Sequence, residues 1–347
     1  MKIFITGGAG FLGYHLVQRL KKDKHKITLY DIADFNPADY PKDVKMIKGD
    51  VRDAKALQEA MKGHDAVIHA AAALPLWKKE DIYSVTIDGT RNVLDSAAVN
   101  KIDRVVYISS TAVYGIPKKH PILETDPRVG VGPYGEAKIE AEKICEEYRH
   151  RTKMCICVIR PKTFIGTGRL GVFQILFDWV ESGVKIPVFG NGKNRYQLLD
   201  VRDLCDAIEL GMTGNAKKAN DNFNVGAEKF QTVREDVGAL CAFSKSGSRV
   251  FGVPSSPLKI ALRFFEILHI SPLYRWVYGT ADKDSFVSTE KLTKALGWHS
   301  KYSNSDALID SFRWYLVNKP QDADSVAGVT HRVPWKQGIL KVFKKFL

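Results

Sequence analysis

A tyrosine and a lysine stand four residues apart in "PYGEAK" (133–138). On a helix, Tyr134 and Lys138 would share one face, and Pro133 suits the first helical position. A phenol with an ordinary pKa of about 10 is a poor base at neutral pH. A lysine ammonium one turn away favours the phenolate and lowers that value. Such a pair can move a proton to or from an alcohol while a nicotinamide exchanges a hydride. Upstream, "ISSTAVYG" (108–115) gathers Ser109, Ser110 and Thr111, hydroxyls able to hold the reacting oxygen. Alone, a Tyr-x-x-x-Lys match usually means an ordinary helix surface, so its weight depends on what surrounds it.

What surrounds it begins at "TGGAGFLG" (6–13), with Gly7, Gly10 and Gly13 three residues apart. A glycine octet becomes a nucleotide signal when a strand precedes it, a helix follows it and an acidic residue lies about 20 residues on. "KIFIT" reads as a strand buried on both faces. "YHLVQRLKK" places Leu16, Val17 and Leu20 on one helical face. "KITLYD" is a second strand ending in Asp31. Gly7 permits the tight turn, Gly10 lets the backbone approach a pyrophosphate, and Gly13 lets the helix pack closely. Phe11 and Leu12 open that helix, whose N-terminus favours anions. Asp31 can accept hydrogen bonds from ribose hydroxyls and would repel a 2′-phosphate. No arginine follows it in "DIADFNPADY", so the expected cofactor is NAD rather than NADP.

These residues must be positioned by alternating strands and helices. "KMIKGDV" (45–51), "DAVIHAA" (65–71), "RVVYISS" (104–110) and "MCICVIR" (154–160) read as further strands, with helical patterns at 53–62, 87–99 and 134–150. This alternation implies an α/β, Rossmann-type, doubly wound parallel sheet with helices on both faces. Ligands bind such sheets beyond the carboxyl ends of the strands. One rim would thus hold the glycine loop, Asp31, Asp50 and Val51 flanking the adenine, Ala70–Ala72 under the cofactor, and the Ser109–Thr111 cluster. Close helix packing explains the three alanines equally well. After residue 161 the pattern loosens. The expected division is an NAD-binding domain from 1–160 and 199–227, and a smaller C-terminal substrate-binding lobe from 161–198 and 228–315. A linker (316–334) and a basic amphipathic tail (335–347) would follow.

The 347 residues are 45% hydrophobic, enough for a large core. Strand-forming "KIFIT" leads straight into the glycine turn, so no signal peptide is expected, and no long apolar run suggests a membrane span. Five cysteines without metal or disulfide spacing fit a reducing cytoplasm, and nine histidines show no metal spacing either. The net charge of +13 points to an acidic partner. Nucleic acid is not expected, because no recognised binding motif occurs. His69 and Trp298 read as packing residues.

In order along the chain stand "TGGAGFLG", "YD", "GDVRD", "VIHAAA", "DGTRNVL", "VVYISSTAVYG", "PYGEAKIEAE", "VIRPKTFIG", "LLDVRDL", "NVG" and "KALGW". Over roughly residues 1–300 the sequence resembles the extended short-chain dehydrogenase/reductase family, the NAD-dependent epimerase/dehydratase group. The resemblance implies Ser110, Tyr134 and Lys138 as the catalytic set, with Thr111 as a substitute for the serine. It implies that Ser109, Tyr134 and Lys138 also contact the cofactor, and that Arg160-Pro161 begins the segment that flanks the nicotinamide and substrate. It further implies a homodimer.

The departures concern the substrate. Thr163 and Thr86 stand where many sugar-nucleotide members carry asparagine, and Arg195 lies slightly out of register with their arginine. Thr111, Thr163 and Arg195 are the candidate substrate contacts. Residues 254–279 resemble members acting on hydroxysteroids or other lipophilic alcohols. Two enzyme readings therefore stand: a UDP-sugar 4-epimerase-like or dehydratase activity on a nucleotide sugar, or a dehydrogenase of a lipophilic secondary alcohol. A non-catalytic NAD-binding regulator is the third. The tail "VPWKQGILKVFKKFL" (333–347) has an apolar face and four lysines, which suit either an anionic membrane surface or docking on the protein itself.

Overall fold

The computed structural model describes residues 1–75, 77–169, 172–267, 279–318 and Lys344. The chain starts at the centre of a sheet and builds outward. β1 (Lys2–Thr6) leads through the glycine loop into α1 (Phe11–Leu20), then β2 (Lys26–Asp31) and β3 (Lys45–Lys48) on one side. The chain then crosses through α2 (Ala54–Ala60) to β4 (Ala66–His69), on the other side of β1. α3 (Lys79–Tyr83) and α4 (Gly89–Val99) precede β5 (Arg104–Ile108), and α5 (Gly132–Arg151) leads to β6 (Cys155–Pro161). After β7 (Phe164–Ile165), α6 (Val172–Glu181), β8 (Ile186–Phe189) and β9 (Leu199–Asp200), helices α7 (Val201–Thr213) and α8 (Ala216–Ala219) return the chain to β10 (Asn222–Val225). The seven strands lie in the order β10-β6-β5-β4-β1-β2-β3, all parallel. The order reverses between β1 and β4, where Thr6 pairs with His69, and such a reversal opens a crevice beyond the strand ends.

Strand alternation assigns each side chain to a core. Ile3 and Ile5 pack with Leu16, Val17, Leu204 and Ile208 of α1 and α7 on one face. Phe4 packs with Val93, Leu94, Ala137 and Ala141 of α4 and α5 on the other. Both layers are fully buried, as a parallel sheet covered on both faces requires. A separate core includes Ile175, Phe177 and Val180 of α6, Leu240 of α9 (Val233–Ser244), and Leu308 and Phe312 of helix Asn304–Val317. Here β8 pairs with β11 (Val250–Val253). Leu292 and Trp298, from the stretch expected in the lobe, join the sheet-side core instead. Trp298 is buried, with its indole N–H donating to the Asp203 carbonyl at 3.0 Å.

The five cysteines are free thiols in buried positions. Among the described residues no helix is long and apolar enough to cross a membrane, and no cluster of metal-ligating side chains occurs. Of the basic tail, only Lys344 is among the described residues. Its ammonium pairs with the Asp178 carboxylate of α6 at 2.5 Å.

Candidate active site

The crevice holds a cleft of about 820 Å³. At one end are Asp31, Asp50 and Val51; Gly7, Gly10, Phe11 and Leu12 follow, facing Ala70–Ala72; at the other end are Ser109, Ser110, Thr111, Tyr134 and Lys138, with Pro161 and Thr163 beside them. Sequence positions from 7 to 163 thus converge on one surface.

The glycine loop is shaped by contacts that exclude side chains. Gly7 has φ +75°, and a Cβ there would lie 2.7 Å from the Ala70 carbonyl carbon. Gly13 is not on the cleft wall. A Cβ on it would meet the Gly8 carbonyl oxygen at 2.4 Å, so its role is to let α1 seat against the loop. Asp31 accepts from the Ala9 N–H and the Ala33 N–H, each at 2.9 Å, which ties the end of β2 to that loop. Burial raises its pKa, against the pull of these backbone donors. The Asp50 carboxylate is held by Arg52 at 2.6–3.1 Å. No described basic side chain lines the cleft beside Asp31. An acidic end at Asp31 and Asp50, a helix N-terminus at Phe11 and a small-residue wall at Ala70–Ala72 fit a dinucleotide without a 2′-phosphate.

The other end is built by β5, α5 and β6. Ser110 ends the extended run and caps a short turn over Thr111–Tyr114, its Oγ accepting from the Ala112 N–H at 3.1 Å. Gly132 and Pro133 open α5, so Tyr134 sits in the first helical turn. Gly135 allows this turn to abut the serine turn, since a Cβ there would lie 2.9 Å from the Ala112 carbonyl oxygen. Lys138, one turn on, is buried. Its Nζ donates to the Ile108 carbonyl at 2.7 Å and lies 5.9 Å from the Tyr134 ring centre. Burial lowers its pKa to about 8, opposed by Glu142. Thr111 Oγ1 donates to the Pro161 carbonyl at 3.3 Å, linking the serine turn to the end of β6. The arrangement places a phenol and two hydroxyls at the far end of a dinucleotide-shaped cleft, with a fixed ammonium one helical turn behind the phenol.

Several residues stand differently from expectation. Arg160 does not line the cleft. Alternation along β6 turns it inward, where it forms a two-pronged ion pair with Glu142 at 2.8 and 2.7 Å and donates to the Tyr114 hydroxyl at 2.7 Å. Arg195 does not line it either; its guanidinium pairs with Asp284 at 3.3 Å and lies 4.2 Å from the Phe286 ring centre. Ser109 reaches the wall, but its hydroxyl donates to Glu142 at 2.6 Å. Thr86 is buried with its hydroxyl oxygen unpartnered, away from the wall. His69 hydrogen-bonds to the Thr6 and Thr90 hydroxyls at 2.7 and 3.1 Å, and burial pushes its pKa down to about 3, so it packs as a neutral imidazole. Residues 268–278 of the lipophilic-looking stretch lie outside the described residues. Lys162, Arg169, Phe164 and Trp77 line the cleft unannounced. Lys162 and Phe164 border the arginine-proline motif, but nothing in their type marks them.

The profile of the NAD-dependent epimerase/dehydratase family matches residues 3–226. The chain is 34% identical to the uncharacterized Sinorhizobium fredii protein y4nG, over 97% of this chain and 84% of that one. It is 27% identical to the UDP-glucose 4-epimerase of Halalkalibacterium halodurans, over 91% of this chain and 96% of the other. The fold matches the Thermotoga maritima UDP-glucose 4-epimerase solved with UDP-glucose, with a TM-score of 0.76 at 20% identity, covering 91% and 99% of the two chains. NAD is the cofactor of this enzyme group, and the chain belongs to the NAD-dependent epimerase/dehydratase family.

Proposed function

We propose that the protein is an epimerase or dehydratase of a nucleotide sugar, with chemistry of the UDP-sugar 4-epimerase type, in which Tyr134, Ser110 and Lys138 form the proton-transfer set. The observation that carries this reading is the meeting of those three side chains at one end of the cleft that starts at the glycine loop. NAD, when bound, supplies the acceptor and donor for the hydride of the oxidised carbon. Ser110 holds the sugar hydroxyl, and Tyr134 takes its proton as the carbonyl forms and gives it back on reduction. Lys138 favours the phenolate through its charge and is kept in place by the Ile108 carbonyl. Thr111 supplies a second hydroxyl on the same wall. The sequence likeness to a UDP-glucose 4-epimerase supports a nucleotide sugar as substrate.

The test is incubation of the NAD-loaded protein with UDP-sugars, following both product and absorbance of reduced cofactor. The expected result is an isomerised or dehydrated sugar with no net NADH. Stoichiometric NADH from a lipophilic secondary alcohol, with no change in any nucleotide sugar, would replace this reading with the dehydrogenase one.

A further inference from the structure

Lys162 is a buried lysine on the cleft wall without a carboxylate partner among the described residues. It follows Pro161 at the end of β6 and is only 3% exposed. Its Nζ donates to Ser285 Oγ at 2.6 Å and lies 4.9 Å from the Tyr196 ring centre. The Tyr196 hydroxyl in turn meets Thr163 Oγ1 at 3.2 Å. Among the described residues no acidic side chain forms an ion pair with Lys162, whereas its neighbours Arg160 and Arg195 have Glu142 and Asp284. Burial pushes the Lys162 pKa down to about 7, with no charged partner opposing it. A buried charge without a partner is costly, so the amine is partly neutral near pH 7, and an anion arriving beside it would hold the charged form.

The position selects which anion. Thr111 donates to the Pro161 carbonyl, so Lys162 is anchored one residue from the serine turn and not at the glycine loop. That is the end where the reacting sugar stands if the proposed function holds, and this inference rests on that reading. We infer that Lys162 is a specificity-determining residue that recognises a carboxylate on the reacting sugar, so that the substrate is a nucleotide uronate rather than a neutral nucleotide hexose. Thr163, on the cleft wall, would add a hydroxyl to that carboxylate, while Ser285 and Tyr196 position the Lys162 amine from behind.

The test is calorimetry on the NAD-loaded full chain with UDP-glucuronate, UDP-glucose and UDP, which share one nucleotide and one diphosphate. Wild type should bind UDP-glucuronate at least about tenfold more tightly than UDP-glucose, as for a charge-assisted contact. Lys162→Met should erase that gap while leaving UDP-glucose and UDP within about twofold of wild type, and Lys162→Arg should keep it. Equal affinity of the two sugars in wild type overturns the inference, and that comparison needs no variant to fold. Equal weakening of all three ligands by Lys162→Met also overturns it, assigning the lysine to the diphosphate. Turnover of UDP-glucose without a uronate preference removes this inference alone. Failure of every nucleotide sugar to bind removes the proposed function with it.

Discussion

Glu142 and Arg160 face each other behind the cleft, at 2.8 and 2.7 Å, with neither side chain more than 1% exposed. The pair ties β6 to α5, the helix that carries Tyr134 and Lys138. The same carboxylate also receives the Ser109 hydroxyl at 2.6 Å and an Arg128 N–H at 3.0 Å. One acidic group therefore holds together the three elements that meet at the Tyr134 end of the cleft. Glu142→Gln leaves a buried guanidinium without its counter-charge, a change that costs about 3–5 kcal/mol. Denaturant unfolding should show this loss, and a loss below about 1 kcal/mol would show that the pair is not holding the fold.

The same group gives a pH dependence. Burial raises the Glu142 pKa, but hydrogen bonds and charge from Arg160, then Ser109 and Arg128, outweigh it and hold the carboxyl below its usual value. A depressed folded-state pKa contributes stability that is fully present above the unfolded value, about 4.3 for glutamate, and is lost as pH falls through the folded value. Wild-type stability should therefore fall more steeply below about pH 4 than that of Glu142→Gln. Parallel acid-unfolding curves would contradict this.

Lys138 sets a dependence in the other direction. Burial lowers its pKa to about 8, so its charge is present below that pH and lost above it. Turnover should decline as pH rises through about 8, because a neutral amine no longer favours the phenolate. Lys138→Arg keeps its proton throughout this range and should remove the alkaline decline, even at a lower plateau. A pH–rate profile with the same alkaline limb in both proteins would assign that limb to another group.

Asp31 should decide cofactor choice. It lines the cleft near the glycine loop, with no basic side chain beside it among the described cleft residues. NAD should bind more tightly than NADP, and Asp31→Ala should weaken NAD by about 1.5–3 kcal/mol while narrowing the gap. Fluorescence titration with both cofactors measures this, and equal affinities in wild type would place the carboxylate elsewhere.

Much of the scaffold was legible because its signals are local. Ile3, Phe4 and Ile5 are a short continuous apolar run stopped by a glycine turn, which suits a strand covered on both faces. The spacing of Tyr134 and Lys138 needs only a helix to bring them to the cleft. The direction of Arg160 depends on strand alternation and on Glu142, eighteen residues away, which no local pattern connects to it. Arg195 stands near a motif that suggests a substrate contact, but Asp284 and Phe286 come from a distant segment and hold it aside. Lys162 was silent for the opposite reason. A lysine reads as a solvated surface residue until tertiary packing encloses it.

The proposed chemistry turns on the Tyr134 hydroxyl, which would carry the proton. The most direct measurement compares wild type and Tyr134→Phe for NAD affinity and for turnover of the best nucleotide sugar. Tyr134→Phe should lose about 10²–10⁴-fold in kcat with NAD binding little changed. Near-wild-type turnover by Tyr134→Phe would contradict it.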